Sequence, residues 1–187
     1  MGPSVYPMAP LIRSTLIALY LALVLPLPAI APQGLQLPMA LAVPAGLVLI
    51  LALVSEQVEL NDSGIRVGHP AWCRWLLRRG WQLSWEQITG ITPVATSQGG
   101  RVFYLRTSAA NGAGTSVLLP QRLEQFDDFL ARFGRHTGLA TGSIGRISPA
   151  WTYQLLAALS ALMVLAELVA GWALATGRWA FPPGSGL

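Results

Sequence analysis

Charge is scarce in this chain. Only 11% of its 187 residues are Asp, Glu, Lys or Arg, less than half the share typical of a soluble domain. A single water-soluble fold with a full polar coat is therefore excluded. Lysine is absent, and all 12 cations are arginine. The formal net charge of +4 is too small to indicate a nucleic-acid partner by itself, and none is expected. The one cysteine, Cys73, excludes an internal disulfide framework and any multi-cysteine metal site. His69 and His136 lie far apart without ligand spacing. There is no glycine-rich phosphate loop, zinc spacing or nucleophile motif. Asp127 and Asp128 are neighbours that would point about 100° apart on a helix, so they do not form a carboxylate pair. No catalytic, cofactor-binding or metal-binding residue is expected, and so no enzyme.

What the chain has in abundance is apolar sequence: 53% hydrophobic residues and a mean hydropathy of +0.52. Three runs, roughly residues 11–31, 37–54 and 151–175, approach the ~20 helical residues that cross a ~30 Å bilayer core. Pro26 and Pro28 sit late in the first run and Pro44 inside the second. Proline removes a helical hydrogen bond, so a kink or an early end is expected near Pro26. The short uncharged connection at residues 32–35 makes the first two helices antiparallel neighbours. A signal peptide is the rival reading of the first run, given Arg13 and the small-x-small triplet at residues 29–31. Pro32 directly after that triplet and a second apolar run close behind favour a retained anchor.

The arginines set the expected orientation. Ten of the twelve fall between Arg66 and Arg146, and Arg13 lies at the very start of the first apolar run. The positive-inside rule then puts the N-terminus and the middle region in the cytosol. Trp151 and Trp172 are 21 residues apart, about 31 Å along a helix, which suits interfacial anchors at the two ends of the third span.

The middle region reads as α+β. The runs at 57–60 and 65–67 flank the turn-rich Asn61–Asp62–Ser63–Gly64, a hairpin signal. Asn61–Asp62–Ser63 also fits a glycosylation sequon, on what is expected to be a cytosolic turn. Ser84 and Gln87 suit a one-turn capping box leading into a strand over 88–94. Residues 101–107 and 116–119 read as strands. Pro120 suits a first helical position, with Leu123, Phe126, Leu130 and Phe133 forming one apolar stripe. Phe103, Leu105, Phe126 and Phe133 are the candidate core. Asp128 and Arg132 form an i,i+4 pair, and Gly134 or Gly138 can end the helix.

Small curved sheets capped by a C-terminal helix form the pleckstrin-homology-like class. The run from Val58 to Val67, with Leu83–Ile88 after it, resembles bacterial PH-like domains. A helical-hairpin anchor followed by such a domain is similar to photosystem I assembly proteins, from which this chain departs by its third span. The segment His69–Trp81 is similar to a group of cyanobacterial membrane proteins, a resemblance that extends over most of the chain. It brings no activity with it.

Two features are candidate sites. Trp72, Trp75, Trp81 and Trp85 lie among Arg74, Arg78 and Arg79. Tryptophan favours the headgroup level, and the arginine fork matches phosphate or carboxylate. Each cation near an anionic leaflet is worth about 1 kcal/mol. The alternative is that some of these tryptophans fill the core. Glu167 lies inside the third span, where a carboxylate costs roughly 2.5–3.5 kcal/mol on insertion scales, so an intramembrane polar contact is expected there. Cys73 beside Arg74 reads as a small hydrophobe.

The expectation is an α+β membrane protein. Residues 1–54 form a transmembrane hairpin, 55–139 a cytosolic PH-like antiparallel sheet capped by an amphipathic helix, 140–149 a flexible linker, and 150–187 a third span with a short tail. The expected role is a non-enzymatic accessory or assembly factor for a membrane protein complex, photosynthetic if the cyanobacterial resemblance holds, in a thylakoid or inner membrane. The alternatives are an anionic lipid-headgroup module, with membrane lipids as partners, and a small transporter component.

Overall fold

The computed structural model describes residues 4–77, 80–97, 100–108, 114–146 and 149–178. They divide into two compact units. Residues 4–12 with Ala52–Pro149 form one, and Arg13–Leu51 with the stretch from Ala150 form the other.

Among the described residues of the first unit, seven strands make two antiparallel sheets. One has the order β1 (Ser4–Pro7), β2 (Gln57–Asn61), β3 (Gly64–Gly68), β4 (Trp81–Ser84). The other has the order β5 (Ile88–Ala95), β6 (Arg101–Thr107), β7 (Ser116–Leu118). The hairpin expected at residues 57–67 is β2–β3. Its turn is an Asx turn, in which the Asn61 side-chain oxygen accepts from the Ser63 and Gly64 amides at 3.0 and 2.8 Å. Period-two alternation then sets the register: Val58 faces Val67 and Leu60 faces Ile65, and all four are buried. In the expected capping box, the Ser84 amide donates to the Gln87 side-chain oxygen at 3.0 Å. The candidate core is confirmed: Phe103, Leu105, Phe126 and Phe133 are all buried, joined by Phe129, Leu119 and Leu123.

The closing helix α4 spans Phe126–Thr137, so it begins a turn and a half later than Pro120 suggested. Pairing holds the preceding segment in an extended state. The Ala9 amide donates to the Arg122 carbonyl and the Glu124 amide to the Pro7 carbonyl, both at 2.8 Å, and Met8 bridges Leu123. Helix entry comes at Gln125, with φ 50 in the left-handed region. Gly138 (φ 69) ends the helix, its amide returning to the Gly134 carbonyl at 2.8 Å. After α4, Ile144 is buried in the same core and the Gln121 side chain donates to the Gly145 carbonyl at 2.6 Å. That part of the segment expected as a flexible linker is thus docked by apolar burial and a hydrogen bond.

β1 was not legible in the sequence. It pairs with β2 over Ser4↔Leu60 to Pro7↔Gln57, so residues before the first apolar helix belong to the same sheet as residues after the second.

The second unit is helical. Its elements are α1 (Pro10–Val24, whose first turn lies in the other unit), α2 (Leu27–Ile30), α3 (Gln36–Leu53) and α5 (Ala150–Ala175). The break between α1 and α2 falls at Pro26, as expected. Among the described residues, three helical stretches are long and apolar enough to cross a membrane by length and composition: Pro10–Ile30, Gln36–Leu53 and Ala150–Ala175. The Tyr20 hydroxyl donates to the Val43 carbonyl at 2.7 Å. Gly46 admits that phenol, since a β-carbon there would collide with the Tyr20 hydroxyl.

Candidate functional site

The tryptophans of residues 72–85 divide into two groups with different surroundings. Trp81 is opposite Val67, and Leu83 is opposite Ile65. Cross-strand partners share a face, so Trp81 lies on the core face and packs against the cluster. Trp85 packs there too. Its indole N–H donates to the Asn61 carbonyl at 3.0 Å, its ring stacks on His136 at 4.6 Å and it meets the edge of Phe133 at 5.9 Å. This residue joins the β2–β3 turn to α4.

Trp72 and Trp75 lie on the β3–β4 connection and are 52% and 73% exposed. Local hydrogen bonds wind that connection into turns. The Cys73 and Arg74 amides donate to the Pro70 carbonyl at 3.2 Å, and the Leu76 and Leu77 amides to the Cys73 carbonyl at 3.0 Å. Cys73 points inward and is buried, with its thiol 3.7 Å from the Pro70 carbonyl. It anchors the loop as a small hydrophobe. Turned outward are Trp72, Arg74, Trp75 and Leu76. The Trp75 indole N–H donates to the Trp72 carbonyl at 2.9 Å, which fixes how the two rings are presented. Arg78 and Arg79 lie outside the described residues.

Beside this face is a cavity of about 260 Å³ lined by Arg66, His69, Arg74, Leu77, Trp81 and Gln82. Arg66 and His69 were not among the sequence candidates. A signal for Arg66 existed: it sits between inward Ile65 and Val67, so alternation turns it to the outer face. Its pairing with Glu59 is loose, at 3.8 Å. His69 Nδ1 is buried without a hydrogen-bond partner. Two guanidinium groups and an unpartnered imidazole nitrogen make a concavity suited to a carboxylate, phosphate or sulfonate.

A second polar cluster fastens β1 to α4. The Tyr6 hydroxyl donates to Asp128 Oδ2 at 2.6 Å. Arg132 Nε donates to the same oxygen at 3.0 Å, and Arg132 Nη1 donates to Ser4 Oγ at 2.7 Å. Burial, then the bond to Asp128, pushes the Tyr6 phenol up to about 12. The Tyr6 hydroxyl, opposed by partial desolvation and aided by Arg132, holds Asp128 below its ordinary value. These contacts tie β1 to α4. Among the described residues, no three His, Cys, Asp or Glu side chains are grouped to hold a metal ion.

Glu167 is on α5, with Oε2 buried and unpartnered. Ser160, on the same face two turns earlier, is 1% exposed and its hydroxyl is also unpartnered.

Across 184 aligned residues the chain is 38% identical to slr0269, an uncharacterised protein of the cyanobacterium Synechocystis sp.. The match covers 96% of this chain and 89% of that relative. The chain belongs to the slr0269 family. Membership bears out the cyanobacterial resemblance carried by His69–Trp81. No family model matches the chain, and no solved structure matches it.

Proposed function

We propose that this slr0269-family protein is a non-enzymatic accessory factor, anchored in a thylakoid or inner membrane, whose PH-like domain grips a membrane protein complex through the β3–β4 connection. The observation carrying the reading is the outward Trp72, Arg74, Trp75 and Leu76 on a loop held from within by Cys73. Two large exposed aromatics beside a cation are the composition of an interface hot spot, and they cost solubility unless covered. A photosynthetic complex is the favoured partner on the cyanobacterial membership.

Three apolar helices support the anchor. The β1–β2 pairing supports an N-terminus on the same side as the domain, since the chain leaves the sheet through one apolar helix and returns through another. Arginine placement supports the cytosolic side. The four-plus-three strand arrangement closed by α4 supports the PH-like class. Tethering at both ends raises effective concentration at the membrane, so modest contacts suffice.

Affinity purification of the tagged full chain from gently solubilised cyanobacterial membranes tests this. The expected result is near-stoichiometric recovery of a defined complex, lost in W72A/W75A while the protein level holds. Recovery of the protein alone overturns the reading. A second reading, anionic headgroup binding, is favoured by the Arg66–His69–Arg74 cavity. It predicts co-purifying anionic lipid that disappears in R66A/R74A.

A further inference from the structure

Resting on the membrane reading, we propose that Glu167 and the backbone carbonyls released at the Pro26 break form a binding site for one small cation, a proton or a sodium ion.

Glu167 Oε2 is buried and finds no donor. Residues 26 and 28 are prolines and carry no N–H, so the carbonyls of Ala22 and Val24 lose their helical donors. The neighbouring amides are engaged elsewhere: Leu25 donates to Leu21, and Ala29 and Ile30 turn back to the Pro26 carbonyl. Oxygen acceptors without donors are costly in an apolar surround, and what satisfies them together is a cation.

Register brings the two sets to one level. Thr15 Oγ1 donates to the Tyr153 carbonyl at 3.3 Å, which fixes α1 against α5 at one point. Seven residues on, Ala22 and Ser160 are each 1% exposed. The first heptad step on both helices therefore stays on the facing stripe; the next step on α5 is Glu167, while its α1 counterpart Ala29 lies beyond the Pro26 break and is exposed. Helical side chains lean toward the N-terminus. The Glu167 carboxyl group thus falls back about one turn from the level of residue 29, onto the Pro26 break. Unwound carbonyls facing a carboxylate are the means by which membrane helices hold sodium or a proton. The charged groups of this unit are few. Arg13 is a helix away at the start of α1, Arg178 lies over the Trp172 ring at 4.6 Å, and the Tyr20 hydroxyl is committed to Val43. None neutralises Glu167.

The test uses the full chain in lipid nanodiscs, after alkaline-carbonate extraction of membranes. A chain that extracts overturns the membrane reading and this site with it. For an integral chain, infrared spectroscopy reads the proton: a carboxylic-acid C=O band that vanishes in E167Q. Thermal unfolding in sodium against choline chloride reads the metal: a sodium-dependent rise in Tm, lost in E167Q. One of the two is expected. In P26A/P28A, which restores the backbone donors, the acid band should move to higher frequency, or the sodium midpoint should rise at least tenfold. Absence of both signals in the wild type overturns the site alone, as does either signal unchanged in P26A/P28A.

Discussion

Replacing Tyr6 by phenylalanine removes one oxygen and tests why the N-terminal strand belongs to the sheet. The ring is 3% exposed and meets Phe129 edge-on at 5.5 Å, and phenylalanine keeps both features. What goes is the 2.6 Å bond to Asp128. A hydrogen bond to a charged group is worth about 1.5–3 kcal/mol, and the exposed carboxylate recovers water, so about 1.5 kcal/mol is expected for Y6F. The pH dependence sharpens the test. The phenol rises from 10.0 to about 12 on folding, so the folded state favours the neutral form. Its contribution is intact below pH 10 and is lost as pH climbs toward 12. At 1.36 kcal/mol per unit the ceiling is about 2.7 kcal/mol. Asp128 is shifted the other way, so its contribution holds above its ordinary 3.8 and fades as pH falls below that. Urea unfolding of the full chain in detergent, followed by tryptophan fluorescence from pH 6 to 11.5, should show a lower midpoint for Y6F and a flattened alkaline decline. Equal midpoints and equal alkaline limbs in Y6F and wild type would refute the latch.

Trp85→Ala should cost about 3 kcal/mol by the same unfolding assay, because it removes a core aromatic and a hydrogen bond, whereas Trp75→Ala should stay within about 0.5 kcal/mol. Similar losses would mean the two tryptophans are not divided as described. Gly64→Ala places a β-carbon against the Leu83 carbonyl, so β3–β4 pairing must open. About 2 kcal/mol is expected, with faster amide exchange confined to those strands. Protease applied to sealed vesicles should reach an N-terminal tag and the β3–β4 connection from the same face. Opposite faces would be incompatible with β1–β2 pairing.

Local chemistry was legible where one stretch of chain contains its own partners. The Asn61 turn, the Ser84–Gln87 box, the alternation of β6 and the Phe126–Phe133 stripe each close over a few residues. The apolar helices were legible because length and composition decide them. The start of α4 was not, because the force holding Arg122–Glu124 extended comes from residues 7–9, more than a hundred positions away. The Trp72–Trp85 run was half legible. Its composition shows aromatics among cations, but only the register of β4 against β3 puts Trp81 inside, and only the Asn61 and His136 contacts do so for Trp85. Arg66 and His69 escaped notice because their cavity is made by the two flanks of one loop.

β1 is the least legible element and the most consequential. Ser4–Pro7 is four residues long and ends in proline, and an isolated strand of that length has no stability of its own. It is held by what arrives later in synthesis: β2 along one edge, and Asp128 and Arg132 of α4 through Tyr6 and Ser4. The whole of α1 to α3 is thus a long insertion between two adjacent strands. Closing so long a loop costs little more than closing a short one, because the entropy grows only with the logarithm of length. Closure does require both ends to be on one side of whatever the apolar helices occupy. A hairpin that crosses and returns satisfies that condition; a single crossing does not. The sheet therefore discriminates between topologies: a wrongly threaded chain leaves β2 with an open edge and Tyr6 and Ser4 without their α4 partners. On the membrane reading proposed above, completion of the domain would report correct insertion of the hairpin.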